Sequence, residues 1–393
     1  RVAKLIPFRL NITLDDAINE SPELREIYNE DKTLKSLIDT ARKLEGLTRH
    51  SSTHAAGIVI SKEPLVEYVP LQRPAKGTEH GISMTQYPMG DIAKLGLLKM
   101  DILGLINLTI LGRAIKLIKE SKGIELDLNK IELTNKDTFD LLSKGETANV
   151  FQLESAGMRR YIKDLKPSSI RDVAAMIALY RPGPMEHITT FIEAKHGRAP
   201  IKFPHDTLKE ILEETYGVIV YQDQVLIIAQ RFAGYSLGEA DIVRKAMGKK
   251  IPEVMRKEED KFIKGALNLG YTTELAHQVF KLIEPFAGYA FNKAHSMSYA
   301  LISYWTAYFK ANYPIEYMTA VLNSYSGNTD KVANAISECR RLRIMIMPPD
   351  INYGESEFTI EQNEESQNVI RFGMSAIKNV GEGAIKPILD ERS

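Results

Sequence analysis

A run of mostly apolar residues, Leu95-Gly-Leu-Leu-Lys-Met-Asp-Ile-Leu-Gly-Leu105, carries a lysine and an aspartate two positions apart. In an extended strand, residues two apart project from one face. Lys99 and Asp101 should therefore point together while Leu98, Met100 and Ile102 pack behind them. A charged pair on a buried strand is costly to desolvate unless something outside the sheet uses it. A plain ion pair would satisfy the same two residues. The stretch alone leaves both readings open.

With 393 residues, 44% hydrophobic and 26% charged, the chain is long and apolar enough for two or three domains with real cores. No apolar run approaches the roughly 18 residues of a membrane span, and Arg1-Val-Ala-Lys-Leu-Ile-Pro7 lacks a signal-peptide pattern, so the chain reads as cytoplasmic. A single cysteine, Cys339, excludes an intrachain disulfide and a cysteine-based zinc site, which fits a reducing compartment. It lies in a helical pattern and is expected to be a small core residue. The opening residue is not methionine and the last residues, Asp390-Glu-Arg-Ser393, sit inside a helical pattern, so the chain reads as a fragment.

A net charge of zero argues against a wholly basic nucleic-acid binder, but the field at a groove depends on local charge. Eight basic and four acidic residues fall between Arg244 and Lys264, and Arg159, Arg160, Lys163 and Lys166 form a second cluster.

Along the chain, Leu34, Leu37, Ile38, Ala41 and Leu44 recur at helical spacing and Glu45-Gly46 supplies a stop. The polar loop Arg49-His-Ser-Ser-Thr-His54 runs into a β-branched strand, Gly57-Ile-Val-Ile60. Its hydroxyls, imidazole and free N–H groups suit phosphate contact, and an ordinary turn reads equally well. Pro64 to Gln86 reads as strands and hairpins. From Asn107 to Met347 the pattern is mainly helical, broken by Arg181-Pro-Gly-Pro184, a stiff loop that presents an arginine or simply joins two helices.

Arg244, Lys245, Lys249 and Lys250 crowd a helix end and the turn after it. They either complement the helix dipole or grip a triphosphate or nucleic-acid backbone. Phe286-Ala-Gly-Tyr-Ala-Phe-Asn-Lys-Ala-His-Ser-Met-Ser-Tyr299 brings Asn292, Lys293, His295, Ser296 and Tyr299 into the opening of a helix. Unpaired N–H groups and a positive dipole there favour anions, and a tyrosine one turn in can stack on a base. Near the end, Met374 to Leu389 reads as helix, Gly381-Glu-Gly383 hairpin, helix, with Lys378 beside the turn, a shape that binds duplex DNA through its backbone. There is no Walker A motif, Gly-x-Gly-x-x-Gly, His-Glu-x-x-His or internal repeat.

Lys99-Met-Asp-Ile-Leu-Gly-Leu105, Thr147-Ala-Asn-Val-Phe-Gln-Leu-Glu-Ser155, Arg181-Pro-Gly-Pro184, Arg244-Lys-Ala-Met-Gly-Lys-Lys250, Gly288-Tyr-Ala-Phe-Asn-Lys-Ala-His-Ser296 and Pro348-Pro-Asp-Ile-Asn352 together resemble the C-family of bacterial replicative DNA polymerases, the DNA polymerase III α subunits. The resemblance implies an α+β chain with a helical thumb remnant over 1–47 and a partial nucleotidyltransferase-type palm over 48–106. A helical fingers domain over 107–347 follows, and 348–393 ends the fingers with the first half of a tandem helix-hairpin-helix.

The same resemblance implies a role for each motif. In that family three palm aspartates hold two Mg²⁺ ions for addition of a dNTP to a primer 3′-hydroxyl. Asp101 matches the third, as catalytic residue and metal ligand. The first two belong to a Pro-Asp-x-Asp-x-Asp motif that this chain lacks, so the 393 residues alone are expected to be inactive. Lys99 resembles a palm lysine near the nucleotide phosphates. Arg244 and Lys245 stand where the family often has two arginines. Lysine there keeps the charge and loses the bidentate fork. Lys293, His295, Ser296 and Tyr299 resemble nucleotide-facing fingers residues, and Lys249, Lys250, Lys378, Gly381 and Gly383 resemble DNA contacts. Primer-template DNA and dNTP are the implied partners, with a sliding clamp and other replisome subunits for the full-length protein and no membrane. Two other classes compete. A non-catalytic DNA-binding module leaves Lys99 and Asp101 without purpose, and a different nucleotidyltransferase leaves the fingers motifs unexplained.

Overall fold

The structure is a computed structural model, and it describes residues 2–7, 12–47, 52–54, 56–74, 83–201, 203–242, 252–287 and 290–392. Arg244, Lys245, Lys249 and Lys250 lie outside the described residues, as does His50. The chain divides into two compact units, Arg1–Gly104 and Leu105–Ser393.

The first unit opens with three helices, α1 (Leu14–Glu20), α2 (Pro22–Glu30) and α3 (Lys32–Leu44). Each start is capped by a short polar side chain that accepts from backbone N–H groups: Thr13, Ser21 and Asp31 in turn. Ala17, Ile18, Leu24 and Ile38 bury the shared face. Of the stripe read in the sequence, Ile38 is buried while Leu37 and Leu44 are exposed. Two antiparallel ribbons follow: β1 (Gly57–Ile60) pairs with β4 (Leu98–Asp101), and β2 (Leu71–Gln72) with β3 (Met84–Thr85). The short helix α4 (Met89–Lys94) leads into β4, and Val69, Ile92 and Leu97 form a small core beneath.

Which face of β4 is covered corrects the sequence reading. Lys99 pairs across the ribbon with Val59, and Val59 packs on the core of Val69, Ile92 and Leu97. The charged pair therefore lies on the partly covered face. Leu98, Met100 and Ile102, expected to pack behind it, are 57%, 48% and 62% exposed, with Ile58 and Ile60 beside them. A two-stranded ribbon has one small core to cover one face, and among the described residues no second layer reaches the other.

The second unit is mainly helical. α5 (Ile106–Lys122) buries Ile110, Leu111, Ala114 and Ile118 and ends at Gly123 with φ 68°. Next come α6 (Lys136–Ser143), α7 (Ala156–Leu165), α8 (Ile170–Leu179), α9 (Ile188–Lys195) and α10 (Lys209–Leu212). α11 (Gln222–Ala233), α12 (Pro252–Asn268), α13 (Thr273–Ala287), α14 (Lys293–Asn312), α15 (Pro314–Tyr325) and α16 (Thr329–Arg341) complete the array. α8 is apolar nearly all round and is buried from Asp172 to Leu179, as a central helix must be. α14 joins two cores: Ala300 and Ala307 pack around α8, while Tyr304 and Phe309 face α5 and α15. α11, α12 and α13 enclose a third core around Phe232, Phe262 and Phe280. Cys339 is fully buried in α16, as its position predicted.

The chain closes with a small sheet in the order β5 (Ile346–Met347), β7 (Asn368–Arg371), β6 (Thr359–Gln362), then α17 (Glu382–Arg392). The helix expected before the Gly381 hairpin is a single 3₁₀ turn, Met374–Ala376. Its N–H groups are drawn away: Met374 N donates to Glu355 O and Ser375 N to Ser356 O, both at 3.0 Å. No helix among the described residues is long and apolar enough to cross a membrane.

Candidate functional site

Candidate residues fall in both units. In the first, the register places Gly57 opposite Asp101. Lys99 Nζ donates to Asp101 Oδ1, and that ammonium holds the Asp101 carboxyl below the usual carboxylate range. His54 Nδ1 accepts from Ala56 N (3.1 Å) and Gly57 N (2.7 Å), which leaves the ring proton on Nε2. These two N–H groups, read as free in the sequence, are thus taken by the imidazole. A Cβ on residue 57 would meet Lys99 Cε at 2.8 Å, His54 Nδ1 at 3.0 Å and Asp101 Oδ1 at 3.1 Å. Glycine at this position lets three polar side chains converge on one strand end. The sequence reading missed Gly57, because its role follows from cross-strand register.

Among the described residues no three histidine, cysteine or carboxylate groups converge to hold a metal ion. Asp101 offers one carboxylate, half-exposed, with an ammonium already on it. Two divalent cations need bridging carboxylates. The described residues by themselves do not make that site.

In the second unit, the segments leading into α11 and α14 run side by side. Gln222 N donates to Phe291 O at 2.9 Å and Phe291 N to Val220 O at 3.0 Å, forming a parallel bridge between Tyr221 and Phe291. Both helices begin just after the bridge, so two positive helix ends lie together. Gln224 fixes the first start, accepting at Oε1 from Val220 N and Tyr221 N and donating from Nε2 to Thr215 Oγ1. Asn292 caps the second by accepting from His295 N at 2.9 Å.

The side chains of that second start divide by direction. Lys293 pairs with Glu214 at 2.6 Å and lies 5.6 Å from the Tyr221 ring centroid. A cleft of about 230 Å³ there is lined by Arg171, Glu214, Tyr221, Lys293 and Met297. His295 is exposed, with its ring centroid 4.3 Å from that of Tyr299 at a tilt of 32°, and Tyr299 in turn meets Phe151 at 5.1 Å. Ser296, read as nucleotide-facing, is fully buried and its hydroxyl donates to Lys293 O, so it serves the helix. Arg181 is likewise occupied: its Nε donates to Ala178 O and its guanidinium lies 4.3 Å from the Phe291 ring centroid.

At the chain end, Lys378, Gly381 and Gly383 are exposed around one turn. The left-handed residue of that turn is Asn379, with φ 67°. A Cβ at Gly381 or Gly383 would meet nothing within 4 Å. The backbone there is open to close approach from outside.

Comparison with known proteins places these features in one group. The bacterial DNA polymerase III alpha NTPase domain matches residues 1–104, the finger domain of the same subunit matches 107–270, and a helix-hairpin-helix motif matches 343–393. The class is that of bacterial replicative polymerase subunits. The chain belongs to the bacterial DNA polymerase III alpha subunit family. All of it aligns with DNA polymerase III subunit alpha of Bacillus subtilis (strain 168) at 47% identity, covering 34% of that protein. It aligns over its full length with the Thermus aquaticus subunit at 48%, covering 32%, and with that of Escherichia coli (strain K12) at 45%, covering 34%. The chain thus spans about a third of the length of these relatives.

Proposed function

We propose that this chain is the palm-to-fingers portion of a DNA-directed DNA polymerase that adds dNTPs to a primer 3′-hydroxyl under template direction. The observation that carries the reading is the Lys99–Asp101 pair held on one strand end opposite Gly57, inside a stretch matched to the polymerase subunit. A carboxylate kept ionised beside a cation suits a site that handles divalent metal and phosphate. Asp101 would be one carboxylate of the metal set, Mg²⁺ in this reading, the remaining ligands coming from outside the described residues. Lys99 would hand its charge from Asp101 to nucleotide phosphate.

On the fingers side, Lys293 beside two helix starts, with Arg244 and Lys245, would meet the triphosphate, and His295 and Tyr299 would offer ring faces to a base. Ser296 would support that helix from within. Lys249, Lys250, Lys378 and the open backbone at Gly381 and Gly383 would follow the DNA backbone without reading sequence. Primer-template DNA and dNTP are the proposed partners. A sliding clamp and other replisome subunits would join the full-length protein in the cytoplasm.

The test is primer extension by the full-length protein that contains this chain, with dNTPs and Mg²⁺. Template-directed extension that falls about tenfold or more in Lys293→Ala and His295→Ala is expected. An absence of synthesis by the wild-type protein contradicts the reading.

A further inference from the structure

Seven residues other than glycine adopt positive φ among the described residues, and one stands apart. Lys166, Tyr216 and Arg343 follow the ends of helical segments, Ser366 turns the β6–β7 hairpin and Asn379 turns the chain before α17. These are ordinary places for a left-handed residue. Asn149 and Gln152 fall in the loop between α6 and α7, and asparagine tolerates the conformation. Gln152, with φ 62°, is the costly choice.

Four carbonyls of the loop are held by side chains from outside it. Lys310 Nζ donates to Glu146 O and Ala148 O, both at 2.6 Å, and Tyr317 Oη to Asn149 O at 2.6 Å. Ser303 Oγ donates to Phe151 O at 2.8 Å, Thr147 Oγ1 to Leu153 O at 2.6 Å, and Phe151 N to Thr306 Oγ1 at 3.2 Å. Four side chains of α14 and α15 therefore dictate the path of this loop. Val150, Leu153 and Thr147 are fully buried, so the turn is anchored from below. Gln152 is exposed, and among the described residues its side-chain amide has no hydrogen-bond partner. Its neighbour Phe151 packs on Tyr299, the ring in tilted contact with His295. The loop thus holds an exposed amide one residue from the ring that packs on Tyr299, in a conformation that glycine or asparagine would adopt more cheaply.

We propose that Gln152 contacts substrate, its amide hydrogen-bonding the edge of the nucleobase that lies against His295 and Tyr299. The assignment rests on the polymerase reading. A polymerase must treat all four pairs alike, and the minor-groove acceptors of A·T and T·A pairs are equivalent, with G·C adding one donor. An amide offers both a donor and an acceptor to such an edge.

The experiment uses the full-length polymerase and compares wild type, Gln152→Gly, Gln152→Asn and Asp101→Asn in single-nucleotide insertion, with thermal melting alongside. Gln152→Gly relieves the backbone and removes the amide. It is expected to melt no lower than wild type while kcat/KM for the correct dNTP drops at least about fivefold, with Gln152→Asn retaining more. A smaller loss in Gln152→Gly overturns the assignment. So does a melting point lowered by more than about 3 °C, which would make the side chain part of the fold. Failure of the underlying reading shows differently, as wild-type insertion that Asp101→Asn leaves unchanged, and it removes this assignment too.

Discussion

At Gly57 a single hydrogen in place of a methyl group determines whether Lys99, His54 and Asp101 can share one strand end. Gly57→Ala would push a Cβ to 2.8 Å from Lys99 Cε, the far end of a flexible chain that can swing aside. Stability should therefore change by less than about 1 kcal/mol. The Lys99–Asp101 contact should open, and in the full-length polymerase insertion should slow about tenfold, measured by primer extension beside a melting curve. The pair also carries a pH signature. Because Lys99 holds the Asp101 carboxyl below its ordinary value, the contact contributes above the usual carboxylate range and is lost as pH falls through the lowered one. Carboxyl titration by NMR should show Asp101 moving up toward the ordinary range in Lys99→Ala. That Lys99 and Asp101 share a face was legible in the sequence, since period two fixes it. Which face is covered was not, because that depends on Val59, forty residues before Lys99, and on the core it packs against.

Among the elements, α14 was the most legible, its start marked by Asn292 and its length by an uninterrupted run to Pro314. The hidden feature was its underside. Lys310 is fully buried, paired with Glu338 at 2.6 Å, and tied to the loop between α6 and α7. A lysine read from sequence passes for a surface charge, since burial becomes visible only through its partners. Lys310→Met should destabilise the second unit by about 2–4 kcal/mol, because two loop carbonyls lose their side-chain donor while Glu338 keeps only Arg341. Burial pushes the Lys310 ammonium down to about 8. An unfolded lysine keeps its proton to near 10.4, so between these values the unfolded state binds more protons and this residue makes stability rise with pH. Melting of wild type against Lys310→Met from pH 7.5 to 9.5 should show the difference widening with pH.

The helix-hairpin-helix was legible at its glycines and at α17, and less so at its first leg, where Glu355 and Ser356 take the N–H groups that a helix would need. Since Gly381 and Gly383 have open space and no positive φ, replacing each by alanine should leave the fold within about 0.5 kcal/mol. DNA affinity of the full-length protein, measured by fluorescence anisotropy, should nevertheless fall, as the added methyls stand between backbone and phosphate.

For the whole molecule, the long helical run and the helical opening were legible because apolar spacing of three and four recurs over most of the chain. The pairing of β1 with β4 was not, because it joins residues about forty apart across an intervening ribbon and helix, β2, β3 and α4. The second unit, Leu105–Ser393, holds three cores of its own and should melt as a cooperative body when expressed alone. Both units serve one chemistry only if Asp101 belongs to the reacting centre. Single-turnover dNTP insertion by the full-length polymerase, wild type against Asp101→Asn with melting matched, tests this most directly. A fall of about a thousandfold with the fold intact is the predicted result, and a rate within about tenfold of wild type would contradict the account.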